Sequence, residues 1–81
     1  MNIINFHNNI QYELLEFHYY ISSDEVNVVE LLLNTKDFNS IEENFSHTFI
    51  VEADINTLIF SGYELNEYYE DNESIRVVCI K

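Results

Sequence analysis

The chain has 81 residues and a strongly unbalanced charge. Fifteen Asp and Glu residues stand against Lys36, Arg76 and Lys81, which leaves a formal net charge of −12. Such a chain is repelled by phosphates and by anionic lipid, which excludes direct binding to nucleic acid or to a membrane surface. Lysine occurs only twice, although the residues that share its AT-rich codons are frequent. We infer selection against positive charge.

The remaining composition predicts one compact domain over residues 1–81, with a radius of gyration of about 12 Å. Hydrophobic residues make up 47% of the chain, which is enough for a core. Cys79 is the only cysteine, so no disulfide can form within the chain, and this fits a reducing cytoplasm. No apolar run approaches 18 residues and the N-terminus lacks a basic region, so we expect neither a membrane span nor a signal peptide.

Ile4 and Phe6 alternate with polar residues, and so do Ile10, Tyr12 and Leu14, which is typical of strands. A three-residue turn at residues 7–9 would place Phe6 opposite Ile10 and Ile4 opposite Tyr12, joining two apolar faces. In that turn Asn9 would take the left-handed conformation.

The apolar pattern changes parity at Leu14 and Leu15, which indicates a bulge in a strand that continues to Ile21. The alternative is a helix, with its apolar side on Ile10, Leu14, Phe17 and Ile21. Residues 22–25 are either a hairpin turn or a capping box that opens a helix. The valines of residues 26–33 favour a strand.

The residue pattern of the second half of the chain predicts one short helix among strands. We expect a loop over residues 34–37, and a capping-box pattern at residues 40–43 predicts a helix over 41–45. Residues 48–53 read as a strand with Phe49 and Val51 inward. Residues 54–62 fit a helix with Ile55, Leu58 and Ile59 inward, and residues 57–63 fit a strand equally well. Residues 75–80 give the clearest strand, placed centrally in a sheet.

Together these elements predict an α+β fold: a small, mainly antiparallel sheet with one or two short helices. The sheet would form a single layer packed on a helix, or a partly closed barrel.

No pattern for catalysis or metal binding is present. The three histidines and Cys79 match no zinc spacing, and a single glycine argues against a phosphate-binding loop. Residues 70–73 carry oxygen ligands but lack the glycine turn of a calcium loop. We therefore expect no enzyme activity, no cofactor and no metal.

Residues 63–73 hold five carboxylates, three tyrosines and no cation, and we predict that they bind a basic partner. The candidate contact residues are Tyr63, Glu64, Glu67, Tyr68, Tyr69, Glu70, Asp71 and Glu73. Carboxylates two apart on a strand lie about 6.6 Å apart, and helical neighbours lie about 6 Å apart. Both spacings suit arginines arranged for a nucleic-acid backbone. If the segment is a strand, Tyr68 and Tyr69 point to opposite faces.

The short chain, the near-absence of lysine and the acidic, tyrosine-rich segment resemble the small phage-encoded inhibitors of bacterial defence nucleases. The DNA-mimicking anti-CRISPR proteins are examples. The resemblance implies that the carboxylates of residues 64–73 occupy a basic groove of a nuclease, in the host cytoplasm, with the protein a monomer or homodimer. The chain also resembles immunity proteins that neutralise a nuclease toxin. A third reading is an acidic subunit of a larger assembly.

Overall fold

The computed structural model describes residues 2–6 and 10–81, which form a seven-stranded antiparallel sheet with one short α-helix. The elements are β1 (Asn2–Asn5), β2 (Gln11–Ile21), β3 (Asn27–Asn34), a 3₁₀ turn (Thr35–Asp37), α1 (Phe38–Asn44), β4 (Thr48–Ala53), β5 (Asn56–Ser61), β6 (Glu64–Asp71) and β7 (Ser74–Ile80). The strand order is β5-β4-β1-β2-β3-β7-β6. The predicted α+β class is confirmed.

Strands β1 and β2 pair in the predicted register. Ile4 lies opposite Tyr12, and the Phe6 N–H donates to the carbonyl oxygen of Ile10 at 3.2 Å. The turn at residues 7–9, with the predicted left-handed Asn9, lies outside the described residues. The register of β2 against β3 shifts between Leu14 and Glu16, which confirms the bulge. The helix alternative for this segment is wrong, because β2 runs on to Ile21.

The segment after β2 is a turn into a strand rather than a helix. The Ser22 N–H donates to the Val26 carbonyl at 2.8 Å, and β3 follows. The predicted loop at residues 34–37 contains a 3₁₀ turn, and α1 begins at Phe38, three residues before the predicted start. Ser40 therefore lies inside the helix and is not its N-cap, so the predicted capping box does not form. Its Oγ forms a hydrogen bond with the Tyr12 hydroxyl at 2.6 Å, which ties α1 to β2.

Strand β4 has the predicted bounds, with Phe49 and Val51 buried. Of the two alternatives for this segment, the strand is confirmed and the helix over residues 54–62 is wrong. Asp54 takes a φ of 55° in a tight turn, and β5 pairs back on β4. Ile55 and Ile59, which the helix would have buried, are 97% and 69% exposed. The Leu58 side chain is half-buried and packs against the core.

The sheet curls so that its two edge strands approach each other at one end. Strands β5 and β6 lie at opposite edges, yet only Gly62 and Tyr63 connect them. Gly62 has a φ of 82°, a conformation that costs glycine little. The rings of Tyr19 on β2 and Phe60 on β5 meet at 5.6 Å across two intervening strands. The radius of gyration is 11.8 Å, as the chain length predicts.

The core lies on the concave side of this curl, which we call the core face. Strand β7 contributes Ile75, Val77 and Cys79, and α1 adds Ile41 to the same buried cluster. Strand β7 has neighbours on both sides but lies next to the edge rather than at the centre of the sheet. The opposite side of the sheet, here the outer face, carries the polar side chains of the same strands.

Candidate functional site

The predicted binding segment forms the edge strand β6 and the turn after it. The helix alternative for this segment is wrong. Strand β6 carries six of the predicted contact residues, namely Glu64, Glu67, Tyr68, Tyr69, Glu70 and Asp71. All six are exposed, and Leu65 is the half-buried residue of the strand. The segment is therefore a surface, as its composition suggests.

A bulge at Asn66 divides these side chains between the two faces. Leu65 pairs with Cys79 whereas Glu67 pairs with Val78, so the strand gains one residue between them. Side chains opposite each other in a ladder share a face. The core face therefore has Leu65, Tyr68 and Glu70, and the outer face has Glu64, Glu67, Tyr69 and Asp71. Glu70 is thus separated from the other carboxylates of β6.

Tyr68 and Tyr69 point to opposite faces, as strand geometry predicts. The Tyr68 ring packs against Phe38 at 4.8 Å between ring centroids and remains 49% exposed. Tyr69 stands on the outer face opposite Arg76 and is 55% exposed. The neighbouring Glu67 carboxylate raises the pKa of the Tyr69 hydroxyl, because it stabilises the protonated hydroxyl and repels the phenolate.

Tyr63 is not part of this surface, and its predicted role as a contact residue is corrected. Its side chain is only 9% exposed and packs between Phe49 and Phe60, with ring centroids 6.1 and 5.7 Å away. The cause is the short β5–β6 connection, which carries the ring into the core. Lys81 Nζ lies 5.8 Å from the centre of the ring.

Glu73 lies in the turn between β6 and β7, outside both strands. Its carbonyl oxygen accepts a hydrogen bond from the Thr35 N–H at 3.0 Å, and the residue is exposed. This backbone hydrogen bond joins the β6–β7 turn to the 3₁₀ turn that follows β3.

The outer face gathers carboxylates from three of the four adjacent strands β2, β3, β7 and β6. One row across the sheet runs from Glu67 through Val78 and Glu30 to His18, and the next runs from Tyr69 through Arg76 and Leu32 to Glu16. We call the carboxylates of this surface the acidic face: Glu13, Glu16, Glu30, Glu64, Glu67 and Asp71. Neighbours along a strand are about 6.6 Å apart and strands are about 4.8 Å apart.

Arg76 is the one Lys or Arg side chain that the described strands direct to this face. Its guanidinium nitrogens lie 3.3 Å from Glu30 and 4.0 Å from Glu16. His18 Nε2 lies 2.8 Å from Glu16 Oε1, and this hydrogen bond lowers the pKa of the Glu16 carboxyl. Glu16 is therefore ionised at neutral pH, and six carboxylates outweigh one arginine.

Two exposed tyrosines lie within the acidic face. Tyr20, which is 46% exposed, donates a hydrogen bond to Glu30, and this contact raises the pKa of its hydroxyl. Beside Tyr69 and Arg76 lies a shallow depression of about 250 Å³. Tyrosine rings offer apolar contact area with a polar end, so this surface can combine charge with packing.

Sequence reasoning missed the part of the site that lies on β2 and β3, namely Glu13, Glu16, Tyr20 and Glu30. Each alternates with apolar residues in its own strand, which is the available signal that it points outward. Their closeness to β6 depends on the strand order, because β7 lies between β3 and β6.

The described residues hold no group of three or more His, Cys, Asp or Glu arranged for a metal ion. Burial raises the pKa of the Cys79 thiol to about 12, so it is protonated at neutral pH and a poor nucleophile. Within residues 2–6 and 10–81, no helix has the length and apolar character needed to cross a membrane.

Comparison of the chain with protein-family models, with curated proteins and with solved structures found no match.

Proposed function

We propose that the protein is a non-enzymatic acidic inhibitor that occupies the basic nucleic-acid-binding groove of a nuclease. The observation that carries this proposal is the acidic face, where six carboxylates from three strands surround one arginine and two exposed tyrosines. A groove that binds phosphates is lined with Lys and Arg, and complementary charge speeds association with such a groove.

The amount of charge and its spacing support competition with nucleic acid. A DNA duplex as long as the protein's largest dimension, 32 Å, carries about 19 charges, against a net −12 here. The regular spacing of strands and residues spreads carboxylates over a surface instead of concentrating them at a point. Tyr20 and Tyr69 supply the amphipathic rings that are common at binding hot spots. Such an inhibitor would act in the cytoplasm of the cell that contains the nuclease.

The direct test is inhibition of DNA cleavage by purified nucleases with basic grooves, including RNA-guided enzymes, between 50 and 300 mM NaCl, which brackets a Debye length of about 10 Å. We expect inhibition that weakens steeply with salt and that excess target duplex relieves. Salt-independent inhibition would contradict competition for a basic groove. Inhibition that duplex does not relieve would favour an immunity protein bound outside the groove. If no enzyme of the panel is inhibited, the proposal fails.

A matched pair of variants separates the acidic face from net charge alone. The variant E64Q/E67Q/D71N removes three charges from the outer face of β6, and E25Q/E42Q/E43Q removes three from the β2–β3 turn and from α1. We expect the first variant to inhibit at least tenfold more weakly and the second to inhibit nearly as well as the wild type. Equal losses would mean that total charge, and not this face, is responsible.

A further inference from the structure

Strand β6 leaves one side of its backbone unpaired. Among the described strands its neighbour is β7 alone, and seven of its eight residues are exposed. An edge strand presents free N–H and C=O groups, which form hydrogen bonds readily with an added strand. After the bulge, the five ladder pairs from Glu67 to Asp71 keep a regular register.

The hydrogen bonds of β7 show which backbone groups of β6 are free. At the two ends of the β3–β7 ladder, the Thr35 N–H donates to Glu73 and the Lys81 N–H donates to Asn27. Residues of an inner antiparallel strand bond alternately to one neighbour and to the other. The odd-numbered residues of β7 therefore bond to β3 and the even-numbered residues bond to β6.

It follows that Asp71 and Tyr69, which face Ser74 and Arg76, direct their backbone groups to β7. Tyr68 and Glu70 lie opposite odd-numbered residues, so their N–H and C=O groups point away from the sheet. These two residues are the hydrogen-bonding positions of the open edge.

The charge of β6 selects the strand that can be added. The strand has four carboxylates and no cation, so a second copy would place carboxylates against carboxylates. A strand with Lys or Arg at alternate positions would place opposite charges there. On the core-face side the added strand would meet Tyr68, packed on Phe38, where an apolar side chain fits.

From these observations we infer that the open edge of β6 binds an extended segment of a partner protein that alternates basic with apolar residues. The segment would add to the sheet next to β6, with its basic side chains beside Glu67, Tyr69 and Asp71 and its apolar side chains beside Tyr68. This inference rests on the proposed function, because it describes how the basic protein is held. It adds main-chain hydrogen bonds to the attraction of charges.

The first test uses a nine-residue peptide that alternates Lys with Val, and a second peptide of the same sequence with N-methyl groups on the Val amides. A third peptide carries them on the Lys amides, so that each edge of the peptide is blocked in turn. Titration calorimetry should show that blocking one edge weakens binding at least tenfold while blocking the other does not. Equal binding by all three peptides, or no binding by the unmodified peptide, would overturn the inference.

The second test changes the protein at Glu70. Both E70P and E70A remove the same carboxylate, but only proline removes the outward N–H, which an edge strand tolerates because it is not bonded within the sheet. With thermal unfolding as the check on folding, E70P should bind the peptide at least tenfold more weakly than E70A. Equal affinity in two folded variants would overturn the inference. If E70P does not fold, the peptide series decides alone.

The same variants separate this inference from the proposed function. If E64Q/E67Q/D71N loses nuclease inhibition while folded E70P inhibits as well as E70A, the acidic face acts without strand addition. The proposed function then stands and the edge inference fails.

Discussion

At the scale of single residues, the three tyrosines of the predicted segment have three different environments. Tyr63 lies in the core, Tyr68 packs on Phe38 with half of its surface exposed, and Tyr69 stands on the outer face. Sequence composition treats them alike, because each has a glutamate as an immediate neighbour. Their contributions to the free energy of unfolding should therefore differ.

We predict that Tyr63→Ala lowers the free energy of unfolding by about 3–5 kcal/mol, as loss of a buried aromatic side chain does. Tyr69→Ala should change it by less than about 0.5 kcal/mol, as a surface substitution does. Urea unfolding followed by far-ultraviolet circular dichroism measures both. Similar values for the two variants would contradict the assignment of Tyr63 to the core.

Cys79 links residue-scale burial to the pH dependence of stability. Its pKa is raised from 9.0 to about 12, so the folded protein holds the neutral thiol more firmly than the unfolded chain does. The contribution of the neutral thiol to the free energy of unfolding is fully present below pH 9.0. It is lost as the pH rises towards about 12, because the unfolded state then releases a proton that the folded state keeps.

We therefore predict that the wild type loses stability more steeply than Cys79→Ala as the pH rises from 9 to 11. Urea unfolding at several pH values measures the two slopes, and the variant supplies the control for tyrosine and lysine titration. Parallel slopes would show that the thiol does not titrate differently on unfolding. In addition, a disulfide reagent at pH 8 should label the native thiol far more slowly than the unfolded thiol.

At the scale of elements, two bulges decide which side chains share a face. The register shift at Leu15 brings Leu14 and Phe17 to the core face, and the shift at Asn66 brings Leu65 and Tyr68 there. At each bulge, two successive residues separate one inward side chain from the next, whereas a regular strand has one residue between them. Without the bulge in β6, Glu64 and Glu67 would not share the outer face.

The two edge strands differ in how well they are protected against association with another chain. Strand β6 carries four carboxylates and a bulge, whereas β5 carries no charged residue and exposes 69% of Ile59 on the outer face. An uncharged edge with an exposed apolar side chain is prone to pair with another chain.

We predict that Ile59→Lys reduces self-association at high protein concentration and leaves the free energy of unfolding within about 0.5 kcal/mol of wild type. Sedimentation velocity over a range of concentrations measures the first property and urea unfolding the second. The matched control is Glu67→Lys, which changes the other edge and should not reduce self-association. If Glu67→Lys is the more effective variant, the vulnerable edge is β6.

At the scale of the whole molecule, the excess of negative charge acts against folding. A net charge of −12 is confined to a body of 32 × 28 × 23 Å, and repulsion among like charges destabilises the compact state. The described ion pairs offset little of it, because all three converge on Arg76 and Glu16 at the surface.

We therefore predict that stability rises with salt, since the Debye length falls from about 30 Å at 0.01 M to about 3 Å at 1 M. Thermal unfolding in 10 and 500 mM NaCl should give a higher Tm at the higher salt. The variant E64Q/E67Q/D71N should be more stable than the wild type at low salt and should gain less from added salt. A Tm that falls with salt would mean that attractive pairs outweigh repulsion.

Most strands could be predicted from the sequence because alternation and β-branching depend on neighbours along the chain. The register of Ile4 with Tyr12 follows from matching two apolar faces. The bulge near Leu15 follows from the change of apolar parity there, and the bounds of β4 follow from the alternation of its own residues. Residues 54–62 could not be assigned in this way, because their apolar residues fit a helix and a strand equally well. The left-handed Asp54 and the pairing with β4 decided the outcome.

The candidate site shows the same division. The sequence by itself determined the charge, the depletion of lysine and the acidic, tyrosine-rich segment, because these are properties of composition. Tertiary structure decided that Tyr63 is buried and that Glu70 is separated from Glu67 and Asp71. It also brought Glu13, Glu16 and Glu30 to the same face. The physical reason is that strand order, bulges and the curl of the sheet depend on contacts between residues distant in sequence, which no local pattern encodes.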